Sequence, residues 1–234
     1  MTRPDSIPEP HWVRWHRRYD VDGSALGRRL ELVQDYVRNA LDQATPGLPF
    51  RIISLCAGRG HDVIDIVAEH PRRDDVVARL VELDPTLSAH ARDAARAAGL
   101  TNVDVATGDA SLTDAVADLA PANLILLCGI FGNISNHDIR GCVDLLPTLC
   151  AQNAVVVWTR HRREPDLTTT VRQWFADAGF EELGFDSPER SPLTGVGAHR
   201  LCIAPRPFIA GAQLFTFIGD GSGASTTRRA LRGP

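Results

Sequence analysis

Two glycines, Gly58 and Gly60, join the apolar run Arg51-Ile52-Ile53-Ser54-Leu55 to a helical pattern through Cys56-Ala57-Gly58-Arg59-Gly60-His61-Asp62. Lacking a Cβ, they let the backbone take positive φ and approach a ligand closely. The helix expected from about His61 presents unpaired first amides, which can receive a ligand acceptor. Downstream, Glu82-Leu83-Asp84-Pro85 ends the next apolar run. An acid there, taken as Asp84, can accept hydrogen bonds from both hydroxyls of a ribose. Turn and acid together outline a slot sized for a nucleoside. A dinucleotide fingerprint would carry a third glycine three residues after the second, where this chain has Val63, so NAD is disfavoured.

Proton-handling side chains are sparser. His16 and Tyr19 lie in an amino-terminal aromatic cluster with Trp12 and Trp15, and His137 and His161 follow two later apolar runs. These four are the candidate bases. Arg160, Arg162 and Arg163 could grip a carboxylate or phosphate through bidentate hydrogen bonds, or form a solvated loop. Asp84 and Asp109 can each cap a helix as well as meet a ligand, and capping is the role expected of Asp62. No histidine or cysteine spacing matches a metal site, so no metal is expected.

With Gly108-Asp109-Ala110 after one apolar run and Ala122 to Gly129 forming another, the chain resembles the class I S-adenosylmethionine-dependent methyltransferases. Their first strand and turn commonly read Asp-Leu-Gly-Cys-Gly-Thr-Gly. Here Ser54 replaces the acid, Cys56 replaces the first glycine, and Gly58 and Gly60 match the last two. Asp84 matches the family's ribose acid, Gly108-Asp109-Ala110 the triplet beside adenine, and Cys128-Gly129 the strand end against the methyl group. The four landmarks fall in order over roughly residues 50 to 186. Three phrases, around Trp12, Phe131 and Trp158, resemble an actinobacterial small-molecule-type branch.

The resemblance implies an α/β, three-layer, Rossmann-like methyltransferase fold with a mostly parallel seven-stranded sheet and an antiparallel C-terminal hairpin. It implies S-adenosyl-L-methionine as cofactor, held by Cys56, Ala57, Gly58, Gly60, Asp84, Pro85, Gly108, Asp109, Ala110, Cys128, Gly129 and Phe131. The activity implied is methyl transfer by direct displacement to O or N of a small molecule. A base helps there only if the acceptor must lose a proton. Two alternatives stay open: a nicotinamide-dependent oxidoreductase on a similar sheet, and a non-catalytic cofactor-binding partner subunit.

Composition narrows the classes further. All 25 basic residues are arginine, so Schiff-base, pyridoxal-phosphate and P-loop chemistry, which need a lysine amine, are excluded. A formal charge of -4 without a basic stripe gives no footprint for nucleic acid or anionic membrane. A small-molecule acceptor is expected, on a monomer or homodimer. Cys56, Cys128, Cys142, Cys150 and Cys202 are odd in number and scattered, and read as buried thiols of a reducing compartment. With no signal-peptide pattern and no apolar run near the ~20 residues of a membrane span, the expected location is cytoplasmic.

These residues need positioning elements, and the apolar periodicity supplies them. Leu26, Leu30, Val33, Val37 and Leu41 recur at helical spacing. Strands are then expected at about 51–56, 76–83, 103–107, 122–128 and 154–159, with helices at about 61–69, 86–98, 111–119 and 137–150. A helix over 167–178 and strand-like runs at 180–186 and 196–203 follow. Short apolar strands alternating with helices require a parallel sheet covered on both faces, with ligands at the strands' carboxyl ends. The organisation expected is an amino-terminal cap segment and helix over 1–48 and a cofactor-binding domain over 49–204. A possible eighth strand within 205–218 and a disordered tail over 219–234 complete it.

Overall fold

The computed structural model describes residues 24–188 and 193–218. A single seven-stranded sheet organises them, in the order β3-β2-β1-β4-β5-β7-β6. Its strands are β1 (Phe50–Leu55), β2 (Val76–Glu82), β3 (Val103–Thr107), β4 (Ala122–Leu127), β5 (Cys150–His161), β6 (Phe180–Asp186) and β7 (Thr194–Leu201). The first five pair in parallel, and β7 inserts antiparallel between β5 and β6. The strand order reverses at β1, which lies between β2 and β4. Loops leaving β1 and β4 at their carboxyl ends therefore part to opposite sides and open a crevice.

Alternation along each strand sends neighbouring side chains to opposite faces. Ile52, Leu80, Leu124, Leu126 and Val157 bury one face against the helices α1 (Ala25–Asp42), α2 (Ile64–Glu69) and α3 (Pro85–Ala97). Ile53, Leu55, Val81, Ile125, Leu127 and Trp158 bury the other against α4 (Asn136–Leu145) and α5 (Thr168–Asp177). Each such side chain removed from water stabilises the fold by about 1.5–3 kcal/mol. Helix α1 starts where Ser24 Oγ accepts the Gly27 amide at 2.9 Å, and its Val33, Val37 and Leu41 join the first of these clusters. This helix is thus one of the layers covering the sheet.

Three expected elements differ. Helix α4 ends at Leu145, before Pro147, and β5 begins four residues earlier than the expected 154. Over 111–119 there is only a single 3-10 turn, Thr113–Val116. The run 213–218 adds no eighth strand; it makes isolated bridges between Leu112 and Gln213 and between Ile134 and Phe217. The last two differences have one cause. The strap over 208–218 lies along the segment where the helix was expected: Leu214 N donates to Ser111 O (2.7 Å), Thr113 N to Ala212 O (3.0 Å) and Thr113 Oγ1 to Ile209 O (2.7 Å). Leu214 and Phe215, each 1% exposed, supply the apolar cover. At its end Ile218 N donates to Asn133 O (2.9 Å), bringing the strap to the crevice.

An aromatic stack ties the loop after β4 to the antiparallel strands. Phe131 packs on Trp158 and Phe175, and Phe175 stacks on His199 with centroids 4.3 Å apart. Trp158 Nε1 donates to His199 Nδ1 (3.2 Å), and burial pushes the His199 pKa down to about 4. The unfolded chain then binds this proton more readily, so stability is lost as pH falls from 6.5 to 4. Urea denaturation should show a loss on the order of 3 kcal/mol across that window, and His199→Gln should flatten it. Truncating the strap's anchor, Phe215→Ala, should cost about 3–5 kcal/mol in the same assay.

Candidate functional site

At the carboxyl end of β1 the backbone enters the left-handed region three times in five residues: Cys56 at φ 57°, Gly58 at 58° and Gly60 at 76°. That conformation disfavours a side chain by roughly 1–2 kcal/mol, which Cys56 bears where the resembled pattern has glycine. Gly60 has a second reason: a Cβ there would come within 2.6 Å of Ile64 Cδ1 and 2.8 Å of Leu80 Cδ2. The turn closes when the Val63 and Ile64 amides donate to Gly60 O. Helix α2 consequently begins at Ile64, three residues later than expected. Its cap position is Val63, with no side-chain cap. Asp62, expected to cap it, is instead buried with Oδ1 unpartnered.

Two acids lie at the end of β2, and the structure gives them different tasks. Asp84 Oδ1 accepts the amides of Thr86 (2.8 Å) and Leu87 (3.0 Å), capping α3 ahead of Pro85. Glu82, the last residue of β2, faces the glycine turn. Its Oε2 accepts the Gly58 amide (2.8 Å) and its Oε1 the Asp84 amide (2.9 Å), while its carbonyl accepts Gly108 N (2.9 Å). Burial raises the Glu82 pKa. One residue thus joins the loops after β1, β2 and β3. The sequence reading took Asp84 as the acid facing the turn; the carboxylate that bonds the turn is that of Glu82, while Asp84 caps α3. Asp before Pro at a strand-to-helix junction is itself a capping signal, and could have shifted the choice two residues back. Leu83 between them is 68% exposed, a large apolar side chain just past the end of β2.

The loop after β3 arrives beside this pair. Asp109 Oδ1 accepts Ser111 N (2.8 Å), and its charge together with that of Glu82 helps burial raise the Cys56 thiol pKa. Ala110 points into the core at 4% exposure, so only its backbone is available to the crevice. Opposite, β4 is followed at once by Cys128 and Gly129. Gly129 has φ 80°, its amide donates to Thr159 Oγ1 (2.9 Å), and a Cβ on it would meet no atom within 4 Å. The same open space lies at Gly108. Phe131, expected to touch the cofactor, is fully buried in the aromatic stack, because the loop folds back onto β5 there.

Of the candidate bases, His16 and Tyr19 lie outside the described residues, as do Trp12 and Trp15 and the tail over 219–234. His137 is exposed in the first turn of α4. His161 ends β5 beside the β4 loop, with its ring 3.2 Å from where a Gly132 Cβ would stand. Burial and the neighbouring Arg160 and Arg163 charges lower its pKa, and Nδ1 is unpartnered. The arginines divide: Arg160 is buried and donates to Phe131 O, while Arg162 Nε pairs with Asp166 (3.0 Å). Of the five cysteines expected to be buried, Cys142 and Cys150 are, Cys56 and Cys128 are half-buried, and Cys202 is exposed. No helix among the described residues is long and apolar enough to cross a membrane.

Neither protein-family models nor curated proteins match the chain. Solved structures do. Magnesium protoporphyrin IX methyltransferase from Synechocystis PCC 6803 with bound SAM superposes with a TM-score of 0.61 at 11% identity, over 81% of this chain and 90% of that one. An O-methyltransferase family protein from Burkholderia thailandensis gives 0.57 at 15%, over 74% and 55%. The chain spans about half the length of this protein and of the CurJ carbon methyltransferase. The [4+2]-cyclase SpnF gives 0.52 at 13%, over 75% and 82%. The fold of this chain is that of the class I methyltransferases.

Proposed function

We propose that the chain is an S-adenosyl-L-methionine-dependent methyltransferase acting by direct displacement on O or N of a small molecule. The observation that carries this reading is Glu82, a buried carboxylate held against the glycine turn at the point where the strand order reverses. A ribose presents two adjacent hydroxyl donors, and a strand-end carboxylate is their natural acceptor. Leu83, exposed beside it, offers an apolar surface to a purine. The residues fit the group, since the open spaces at Gly108 and Gly129 leave backbone bare where adenine and the methionine end would lie. Cys56, Ala57, Gly58 and Gly60 line the turn below, and Asp109 borders the adenine side.

When bound, S-adenosylmethionine supplies an electrophilic methyl carbon, which passes to an acceptor lone pair as the carbon–sulfur electron pair returns to sulfur. The protein's part is alignment and exclusion of water. His161, kept neutral by its lowered pKa, stands at the end of β5 to take the proton of an oxygen or nitrogen acceptor. Its partner loop is held in place by Asn133 Nδ2 donating to Gly129 O (2.7 Å).

Calorimetry with S-adenosylhomocysteine tests the cofactor reading. Glu82→Gln should weaken binding about 10- to 100-fold, the range of a hydrogen bond to a charged group. Asp84→Ala should instead cost about 1 kcal/mol of stability as a lost helix cap, and shift the Kd less than about threefold. Alanine at Gly108 fits the ligand-free fold without strain, and at Gly129 adds about 1–2 kcal/mol of backbone strain. Both should nonetheless weaken the ligand at least about tenfold. Methyl-labelled donor incubated with a cell extract should place label in low-mass products. Binding without any transfer across extracts would favour a non-catalytic module.

A further inference from the structure

The loop after β4 is held by side chains of β5. Backbone pairing between these strands runs only to Leu127 and Trp158. One residue further along β5, Thr159 Oγ1 accepts the Gly129 amide at 2.9 Å, so a hydroxyl takes over where the ladder ends. Arg160 then donates to Phe131 O, and His161, on the same face of β5 as Thr159, comes against Gly132. Thr159 is 1% exposed, so it does not itself meet a ligand. What it controls is the Cys128–Gly129 peptide. That unit is planar and trans, and its carbonyl points opposite to its N–H. With the N–H on Thr159, the Cys128 carbonyl is directed away from β5, to the side on which β1 and its glycine turn lie. The following peptide is held as well, because Asn133 Nδ2 donates to Gly129 O (2.7 Å) and Asn133 O accepts Ile218 N (2.9 Å) from the strap. Both peptide units of Gly129 are thus fixed by the protein itself.

Resting on the cofactor reading above, we propose that Thr159 is a positioning residue for the methionine end of the donor. Its hydroxyl keeps the Cys128–Gly129 peptide in the orientation that leaves the backbone at Gly129 open to that end. A threonine that only filled space could be replaced by valine, which has the same shape. The hydroxyl does more: without it the Gly129 amide loses its acceptor, and a partly buried N–H without a partner turns to find one. Such a turn swings the Cys128 carbonyl out of its place. In the cofactor reading adenine and ribose lie against the loops after β2 and β3, at the opposite end of the parallel strands from β5. The loss therefore falls on the methionine end alone.

The experiment compares S-adenosylhomocysteine with adenosine, which lacks the methionine end, by calorimetry on the full chain. The wild type should bind S-adenosylhomocysteine at least about tenfold tighter than adenosine. Thr159→Val should weaken S-adenosylhomocysteine at least about tenfold and adenosine less than about threefold. Thr159→Ser, which keeps the oxygen, should bind both within about threefold of the wild type. A second measurement needs no variant, and decides alone if the valine variant does not fold. Amide hydrogen exchange on the wild type should show the Gly129 N–H protected at least about tenfold relative to an unstructured amide, before S-adenosylhomocysteine is added as well as after. An unprotected Gly129 amide before addition would overturn the proposal. A serine variant as weak as the valine one would assign the effect to the lost methyl group and overturn it too. Equal weakening of both ligands by valine, or none, would overturn the role of Thr159 while leaving the cofactor site standing. Equal affinity of the wild type for both ligands would do the same. A wild type that binds neither ligand would overturn the cofactor reading and this assignment together.

Discussion

A single buried residue, Glu82, holds the three loops at the carboxyl ends of β1, β2 and β3 in register. One oxygen takes the amide of Gly58 in the glycine turn, the other takes the amide of Asp84, and the main-chain carbonyl takes that of Gly108. Charge-assisted hydrogen bonds of this kind are short and roughly twice as strong as neutral ones. Because Glu82 is buried, its carboxylate depends on these amides for solvation, and burial raises its pKa despite them. The left-handed backbone at Cys56, Gly58 and Gly60 makes the Gly58 amide available at that point. A carboxylate is thus positioned beside the turn by the same bonds that shape it.

The far wall of the crevice is built differently, by apolar packing. Gly129 is bare because the loop after β4 turns inward immediately, sending Ile130 and Phe131 into the core and hanging Phe131 on Trp158 and Phe175. The strap over 208–218 completes that core. It replaces a missing helix with Leu214 and Phe215 and reaches Asn133 with its last described amide. Rigid aromatic contacts therefore fix one side of the site and buried hydrogen bonds the other. Fold neighbours that include a [4+2]-cyclase alongside methyltransferases show that this frame does not by itself choose the reaction.

Much of the frame was legible in the residues. The parallel strands of the sheet follow apolar runs, and the helix ends follow local signals: Ser24 and Ser135 accept amides at helix starts, and Pro147 follows the shortened α4. The glycine turn was equally plain. What went astray did so for identifiable reasons. Residues 111–119 carry a weak helical pattern, and a segment about a hundred positions away covers that part of the sheet instead. Asp84 and Glu82 are two residues apart, so spacing alone placed both at the strand end.

Local chemistry was therefore determined by the sequence itself. Periods of two and 3.6 set the element types, positive φ called for glycine at Gly58 and Gly60, and Asp before Pro started a helix. Tertiary structure alone decided which acid faces the crevice, that Phe131 belongs to the core, and that Asp62 is left with a bare oxygen. Those outcomes depend on contacts between segments distant in the chain, such as Glu82 with Gly58 and the strap with Ser111. Burial and hydrogen-bond pairing are properties of the assembled neighbours, and a residue's own type and spacing do not carry them.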